Sequence, residues 1–300
     1  MLCQKPFIPF GQTTGYGCGK CLPCLVKRRR LWASRLILES LTSAAGYFIT
    51  LTYNGKNYPQ NGSLQPKDTQ LFLKRLRKHF PPQTVRYFMV GEYGSDTQRA
   101  HYHAAIFLSI AEPLATFTAA CESAWDLGFT SVGILTPQSA AYTAGYVTKK
   151  MTSLSDTRLN GRHPEFARMS LKPGIGQKAM ESVSDVLQTG EVGLNHISSL
   201  GGQVPTYLKQ GRSSLVLGRY LRRQLNGMLG LSKDLQKINP STTPWLLKSL
   251  QAQAKILKEV TDSSSKVFGL PTQFALLTKD AQSVKNYEGR QKIKDGNKKL

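Results

Sequence analysis

The sequence predicts an α+β fold in which an antiparallel sheet carries its helices on one face. A cysteine-rich basic segment precedes this unit and a mostly helical extension follows it. Three observations point there. Between residues 47 and 135, β-branched and aromatic runs alternate with segments of helical period. Asn-Gly and Pro-Pro pairs punctuate those runs. Four of the five cysteines fall within the first 24 residues, ahead of a dense cluster of Lys and Arg.

The N-terminal stretch places Cys3, Cys18, Cys21 and Cys24 together, with Cys121 as the fifth cysteine. C-x-x-C spacing, an odd cysteine count and no export signal at the N-terminus favour thiolates and metal over a disulfide frame. Cys18, Cys21 and Cys24 are spaced so that two or three thiolates can meet one tetrahedral Zn²⁺, with Cys3 available as a fourth. Equally open at this point is a set of buried, unliganded thiols leading into a helix. That helix is expected from "LVKRRRLWASRLILESL", with an apolar stripe at Leu25, Trp32 and Leu36. Its Lys27, Arg28, Arg29 and Arg30 form either a solvated face or a surface for phosphates.

"YFITLTY" (47–53), closed by Asn54-Gly55, reads as a strand, and "PKDTQLFLKRLRKHF" (66–80) as a helix stopped by Pro81-Pro82. "VRYFMVGE" (85–92) and "HYHAAIFL" (101–108) read as two strands of a hairpin. "PLATFTAACESAW" (113–125) reads as a helix and "FTSVGIL" (129–135) as a short strand. The order β-α-β-β-α-β is the split, ferredoxin-like arrangement, which leaves one sheet face open. A further helix is expected over 136–151, with Thr136 as N-cap and Pro137 at its first position.

These elements divide the chain into residues 1–46, 47–152 and 153–300. Residues 153–212 are rich in Ser, Gly, Thr and Pro and are expected to be loop-rich. Residues 213–230 and 243–260 read as amphipathic helices, and the tail "GRQKIKDGNKKL" as a basic, unfolded end.

Charge narrows the partners. Forty Lys and Arg against 18 Asp and Glu give a formal net charge of +22, and the excess is present in both halves. A polyanion follows, nucleic acid first. No apolar run approaches 18 residues, and the N-terminus has no signal-peptide core. The expectation is an intracellular protein without a membrane partner.

Within "RAHYHAAIF", His101 and His103 project from one face of a strand. Glu92 lies across the hairpin. Two imidazoles and a carboxylate suit Mn²⁺ and tolerate Mg²⁺. On the later helix, Tyr142 and Tyr146 are four residues apart, with Lys149 and Lys150 on the same ridge. Taken alone, an i, i+4 tyrosine pair is as well explained by packing. His79, His163 and His196 are isolated and read as surface or satisfied histidines.

The ordered set "FITLTYN", "RYFMVGEYG", "RAHYHAAIF" and "SAAYTAGYVTKK", with the "CGKC" opening and "PEFARMSLKPGIG", resembles the HUH endonucleases. Within them it is most similar to the rolling-circle replication initiators of gokushovirus-like single-stranded DNA phages (Microviridae). The resemblance implies a metal held by His101, His103 and Glu92, with Tyr146 as nucleophile and Lys149 favouring its phenolate. It implies that Tyr142 alternates with Tyr146, although Gly145 stands where relatives often carry Lys or Arg. It also implies a 5′-phosphotyrosine intermediate, strand rejoining, single-stranded origin DNA as partner, a helicase and other machinery from the host, and action in the host cytoplasm.

Lys27, Arg28, Arg29, Arg30, Arg86, Arg99 and Lys150 are then expected at the DNA backbone, and Tyr93 against a base. The alternatives are a non-catalytic DNA-binding or packaging protein and a metallohydrolase releasing free 5′-phosphate.

Overall fold

The computed structural model describes residues 3–7, 10, 16–94, 96–146, 156–189, 195, 197, 203–210 and 213–231. The expected helix at 243–260, the basic tail, His196, Lys149 and Lys150 lie outside them. In chain order the elements are α1 (Leu22–Leu41), β1 (Ala45–Tyr53), α2 (Pro66–Lys78), β2 (Val85–Tyr93), β3 (Ala100–Leu108), α3 (Leu114–Ala124), β4 (Gly128–Ile134) and α4 (Pro137–Tyr146). After a single 3₁₀ turn at Thr157–Leu159 come β5 (Phe166–Met169), α5 (Ala179–Gln188), β6 (Tyr207–Gln210), β7 (Ser213–Val216) and α6 (Arg219–Met228).

The β-α-β-β-α-β order is present. Its four strands form a sheet to which β5 adds an edge, in the order β4-β1-β3-β2-β5, and every neighbouring pair is antiparallel. The pleat sorts the side chains. Tyr47, Ile49 and Leu51 of β1 and Tyr102, Ala104 and Ile106 of β3 face α2 and α3, where they meet Phe72, Leu76 and Phe117. Tyr102 is fully buried, and its hydroxyl is bonded to Tyr53 at 2.8 Å and to the amide of Gln65 at 2.7 Å. Tyr93 is buried as well and donates to the carbonyl of His163, so the expected base contact at Tyr93 is overturned.

The second face is only partly open. Leu36 of α1 and Ala140 and Ala144 of α4 pack on Phe88, Val90, Ala105 and Phe107, which form a second apolar layer. Small residues at 140 and 144 let α4 approach the strands closely. Of the expected stripe on α1, Leu36 is buried, whereas Leu25 and Trp32 are half-buried.

A third cluster joins Leu38 of α1 to Met180, Leu187, Leu215, Leu221 and Leu225. Over 213–230 the expected helix begins only at Arg219. Ser213–Val216 pair instead with Tyr207–Gln210, and Gly218 turns the chain in extended conformation. A Cβ at Gly218 would lie 2.3 Å from Leu31 of α1, so glycine is required there.

Polar ties fix α1 over the sheet. Glu39, fully buried, binds Arg86 of β2 and accepts the amide of Gly176 at 2.6 Å, while Arg86 also donates to the carbonyl of Pro173. Gly176 adopts φ +79° beside the carbonyl of Arg35, a conformation that disfavours any side chain. Removing one partner strands a buried charge. Glu39→Ala is therefore expected to lower stability by about 3–5 kcal/mol in urea unfolding, and Glu39→Gln by less.

Candidate active site

The site grows from three adjacent strands. Pairing sets Glu92 of β2 opposite His101 of β3, and Thr50 of β1 opposite His103. All four side chains therefore emerge on the partly open face. Glu92 Oε1 lies 2.7 Å from His101 Nε2 and 3.4 Å from His103 Nε2. One ligand atom from each of the three residues falls within 4.8 Å of the others.

The far nitrogens are held too. His101 Nδ1 is 3.0 Å from the carbonyl of Arg99, which can only accept, so Nδ1 carries the proton and Nε2 faces the carboxylate. His103 Nδ1 is 2.9 Å from Thr50 Oγ1. Orienting hydrogen bonds of this kind are what metal-binding imidazoles use to fix ring and tautomer. The donor set of two imidazole nitrogens and a carboxylate oxygen fits a divalent cation.

Helix α4 roofs this group. Thr136 and Ser139 cap it reciprocally, the amide of each donating to the other's hydroxyl at 2.8 and 3.2 Å. From α1, Arg29 Nε donates to the carbonyl of Ala141 at 3.1 Å, which ties the two helices. Tyr146 stacks flat on His103, with ring centroids 4.7 Å apart and planes 5° apart. Tyr142 stands edge-on to both Tyr146 and His103, at 4.8 and 5.7 Å. Burial, then hydrogen bonding to Tyr142 and the charge of Glu92, pushes the Tyr146 phenol far above its ordinary range. A cation bound at Glu92 would oppose the last of these.

The cationic residues divide. Lys27 and Arg28 are exposed on the first turns of α1, and Arg30 is half-buried. Arg29 is half-buried and partly engaged with α4. Arg99 is exposed at the rim of the site, donating to the carbonyl of Tyr53 at 3.2 Å and lying 4.4 Å over the Tyr58 ring. Arg86 is a correction. The sequence places it on the DNA backbone, but it is 7% exposed and neutralised by Glu39, because its position on β2 points under α1.

Sequence reasoning missed Thr50 and Glu165. Thr50 sits in "FITLTY", where alternation already sets it on the histidine side. Glu165 is buried just before β5 and accepts the Tyr93 amide at 3.1 Å; a carboxylate between Pro164 and Phe166 was the only signal.

At the N-terminus the sulfurs of Cys3, Cys18, Cys21 and Cys24 lie within 4.8 Å of one another, so this group could hold a metal ion. Cys121 stands apart, buried on α3 in the main core. The amide of Cys18 donates to Cys3 Sγ at 3.2 Å and that of Cys21 to Cys18 Sγ at 3.4 Å. Backbone amides of Lys20 and Cys21 pull the Cys18 thiol down to about 6, whereas burial pushes Cys24 and Cys121 up to about 12.

This fold and site carry a clear family relationship. Residues 46–151, which hold the sheet from β1 to β4 and both tyrosines, match the model of the replication-associated protein ORF2 family. The relatives are phage proteins, as the sequence motifs indicated. The chain is similar to replication-associated protein ORF2 of Spiroplasma virus 4, at 32% identity over 180 residues, covering 54% of this chain and 55% of that one. It is 30% identical over 212 residues to replication-associated protein VP4 of Bdellovibrio phage phiMH2K, covering 64% and 65%. Replication-associated protein ORF4 of Chlamydia phage 1 is 26% identical over 151 residues, covering 44% and 38%. The chain thus spans less than two thirds of the length of each of these relatives. No solved structure matches it.

Two outcomes follow. Thr50→Val should weaken Mn²⁺ binding about 10- to 100-fold in calorimetric titration, the usual cost of losing an orienting partner. In metal-free protein at pH 7, iodoacetamide should alkylate Cys18 well ahead of Cys24 and Cys121. A thiol lowered to about 6 is mostly thiolate there, and those at about 12 are not.

Proposed function

We propose that this chain starts rolling-circle replication of a small single-stranded DNA phage, nicking one DNA strand by transesterification to tyrosine and later rejoining it. The observation that carries this reading is the stack of Tyr146 on His103, one residue pair away from Glu92 and His101. A nucleophile and a candidate cation site thus share one pocket.

In this reading His101, His103 and Glu92 hold Mg²⁺ or Mn²⁺, which when bound supplies positive charge to the non-bridging oxygens of the scissile phosphate. Tyr146 gives up its phenolic proton and its oxygen attacks phosphorus. The new O–P bond forms as the P–O3′ bond breaks, the leaving 3′ oxygen takes a proton, and a 5′-phosphotyrosine remains. The reverse attack by a 3′-hydroxyl rejoins a strand without any other energy source, because the number of phosphodiester bonds is conserved. Tyr142, 49% exposed and edge-on to Tyr146, is placed to act as the second nucleophile of a continuous cycle. Lys149 is assigned to phenolate or phosphate stabilisation.

Lys27, Arg28, Arg30, Arg99 and Lys150 are assigned to phosphates of unpaired origin DNA. Duplex unwinding is left to a host helicase, in the host cytoplasm. The catalytic unit is assigned to residues 47–152, and the four-cysteine group to a structural Zn²⁺, since four thiolates at tetrahedral reach make a closed site.

The test is formation of a denaturant-resistant protein–DNA adduct on single-stranded phage-origin DNA with Mn²⁺ or Mg²⁺. Tyr146→Phe should lower adduct formation on the order of 10⁴-fold or more, and the Tyr142→Phe, Tyr146→Phe double variant should abolish it. Because the Tyr146 proton is held above its ordinary range, the rate should rise with pH from 6 to 9. An adduct persisting in the double variant would contradict the assignment; cleavage without an adduct would indicate a hydrolase.

A further inference from the structure

The site face of the sheet is covered unevenly. Helix α4 lies over His103 and Phe48, to which Tyr142 makes an edge contact at 6.0 Å. Beyond them, the outer strand β4 presents Phe129, Ser131 and Gly133 to the same face, because these residues pair with Thr52, Thr50 and Phe48. Thr52 in turn pairs with His101, and His101 with Glu92. Phe129, Thr52, His101 and Glu92 therefore stand on one cross-strand rung. At about 4.8 Å per strand, β4 runs about 10 Å from β3 along it, the reach of a neighbouring nucleotide.

Phe129 is 69% exposed. Its surroundings on this face are two threonines, a serine and a glycine, so the ring is an isolated flat surface above a polar floor. A protein partner would need a contiguous apolar patch, and Ser131 and Gly133 do not provide one. Ile134, the other exposed apolar residue of β4, pairs with Tyr47 and so belongs to the opposite face. A chain of net charge +22 selects a polyanion. Single strands are bound by a basic surface together with aromatic rings on which bases stack.

We propose that Phe129 is a stacking platform for an unpaired base of the DNA strand next to the scissile phosphate, the strand crossing β1 between Phe129 and Tyr142. The location of that phosphate rests on the function proposed above; the stacking does not depend on the chemistry of cleavage.

The experiment measures binding of a fluorescent mixed-sequence DNA single strand to the full chain by anisotropy, in EDTA so that no cleavage occurs. Phe129→Ala is expected to weaken binding about 5- to 100-fold, whereas Val186→Ala, an exposed apolar change on α5, should not. Phe129→Trp is expected to bind as wild type and to add a tryptophan emission that DNA quenches. Wild-type affinity in Phe129→Ala, or a Phe129→Trp signal indifferent to DNA, would overturn the proposal. So would a change in oligomeric mass that accounts for the lost affinity, since Phe129 would then sit between copies of this chain. The two readings fail separately. An adduct formed by wild type alongside unaltered binding by Phe129→Ala defeats only the platform. Weakened binding by Phe129→Ala with no wild-type adduct defeats only the nicking.

Discussion

The pleat of the central strand β3 is the constraint on which the rest depends. Its even-numbered residues, Tyr102, Ala104 and Ile106, are committed to the core under α2 and α3. Its odd-numbered residues therefore have to face the other way. Two of them, Ala105 and Phe107, are apolar and are covered by α1 and α4; the other two are His101 and His103. A slip of one residue in register would put both imidazoles into an apolar core, so the buried face that stabilises the sheet also fixes where the candidate cation site must be.

The second layer makes that face usable. Helix α1 is held by the Glu39–Arg86 pair and the amide of Gly176, and α4 is held against α1 through Arg29 and Ala141. The tyrosine rings thus reach the histidines from a support rooted in a distant part of the sequence. Residues 170–176, which the sequence showed only as a motif, wedge between α1, β2 and α6: Arg35 donates to the carbonyl of Ile175, and Gly174 donates to the Tyr220 hydroxyl.

Much of this was legible in the sequence because it is local. Alternation in "YFITLTY" and "HYHAAIF" gave the strands and their faces, and the hairpin between Glu92 and His101 joined the carboxylate to the imidazoles. What was not legible depends on distant partners. Arg86 resembles any other surface cation until Glu39, 47 residues earlier, is found against it. The buried side of α1 carries Ser34 and Glu39 as well as Leu36, so its pattern does not announce that it closes a sheet face. Strand β5 has four residues, too few for alternation to register. Thr50 was passed over because a threonine in a strand usually signals β propensity, whereas here its hydroxyl meets His103.

The account stands on three side chains presenting one set of donor atoms beneath Tyr146. Anomalous diffraction from crystals grown with Mn²⁺ tests this most directly. The expected result is a single peak bound by Nε2 of both His101 and His103 and by a Glu92 carboxylate oxygen, with the Tyr146 ring still stacked on His103. Manganese bound elsewhere, or through the Nδ1 atoms that face Arg99 and Thr50, would contradict it.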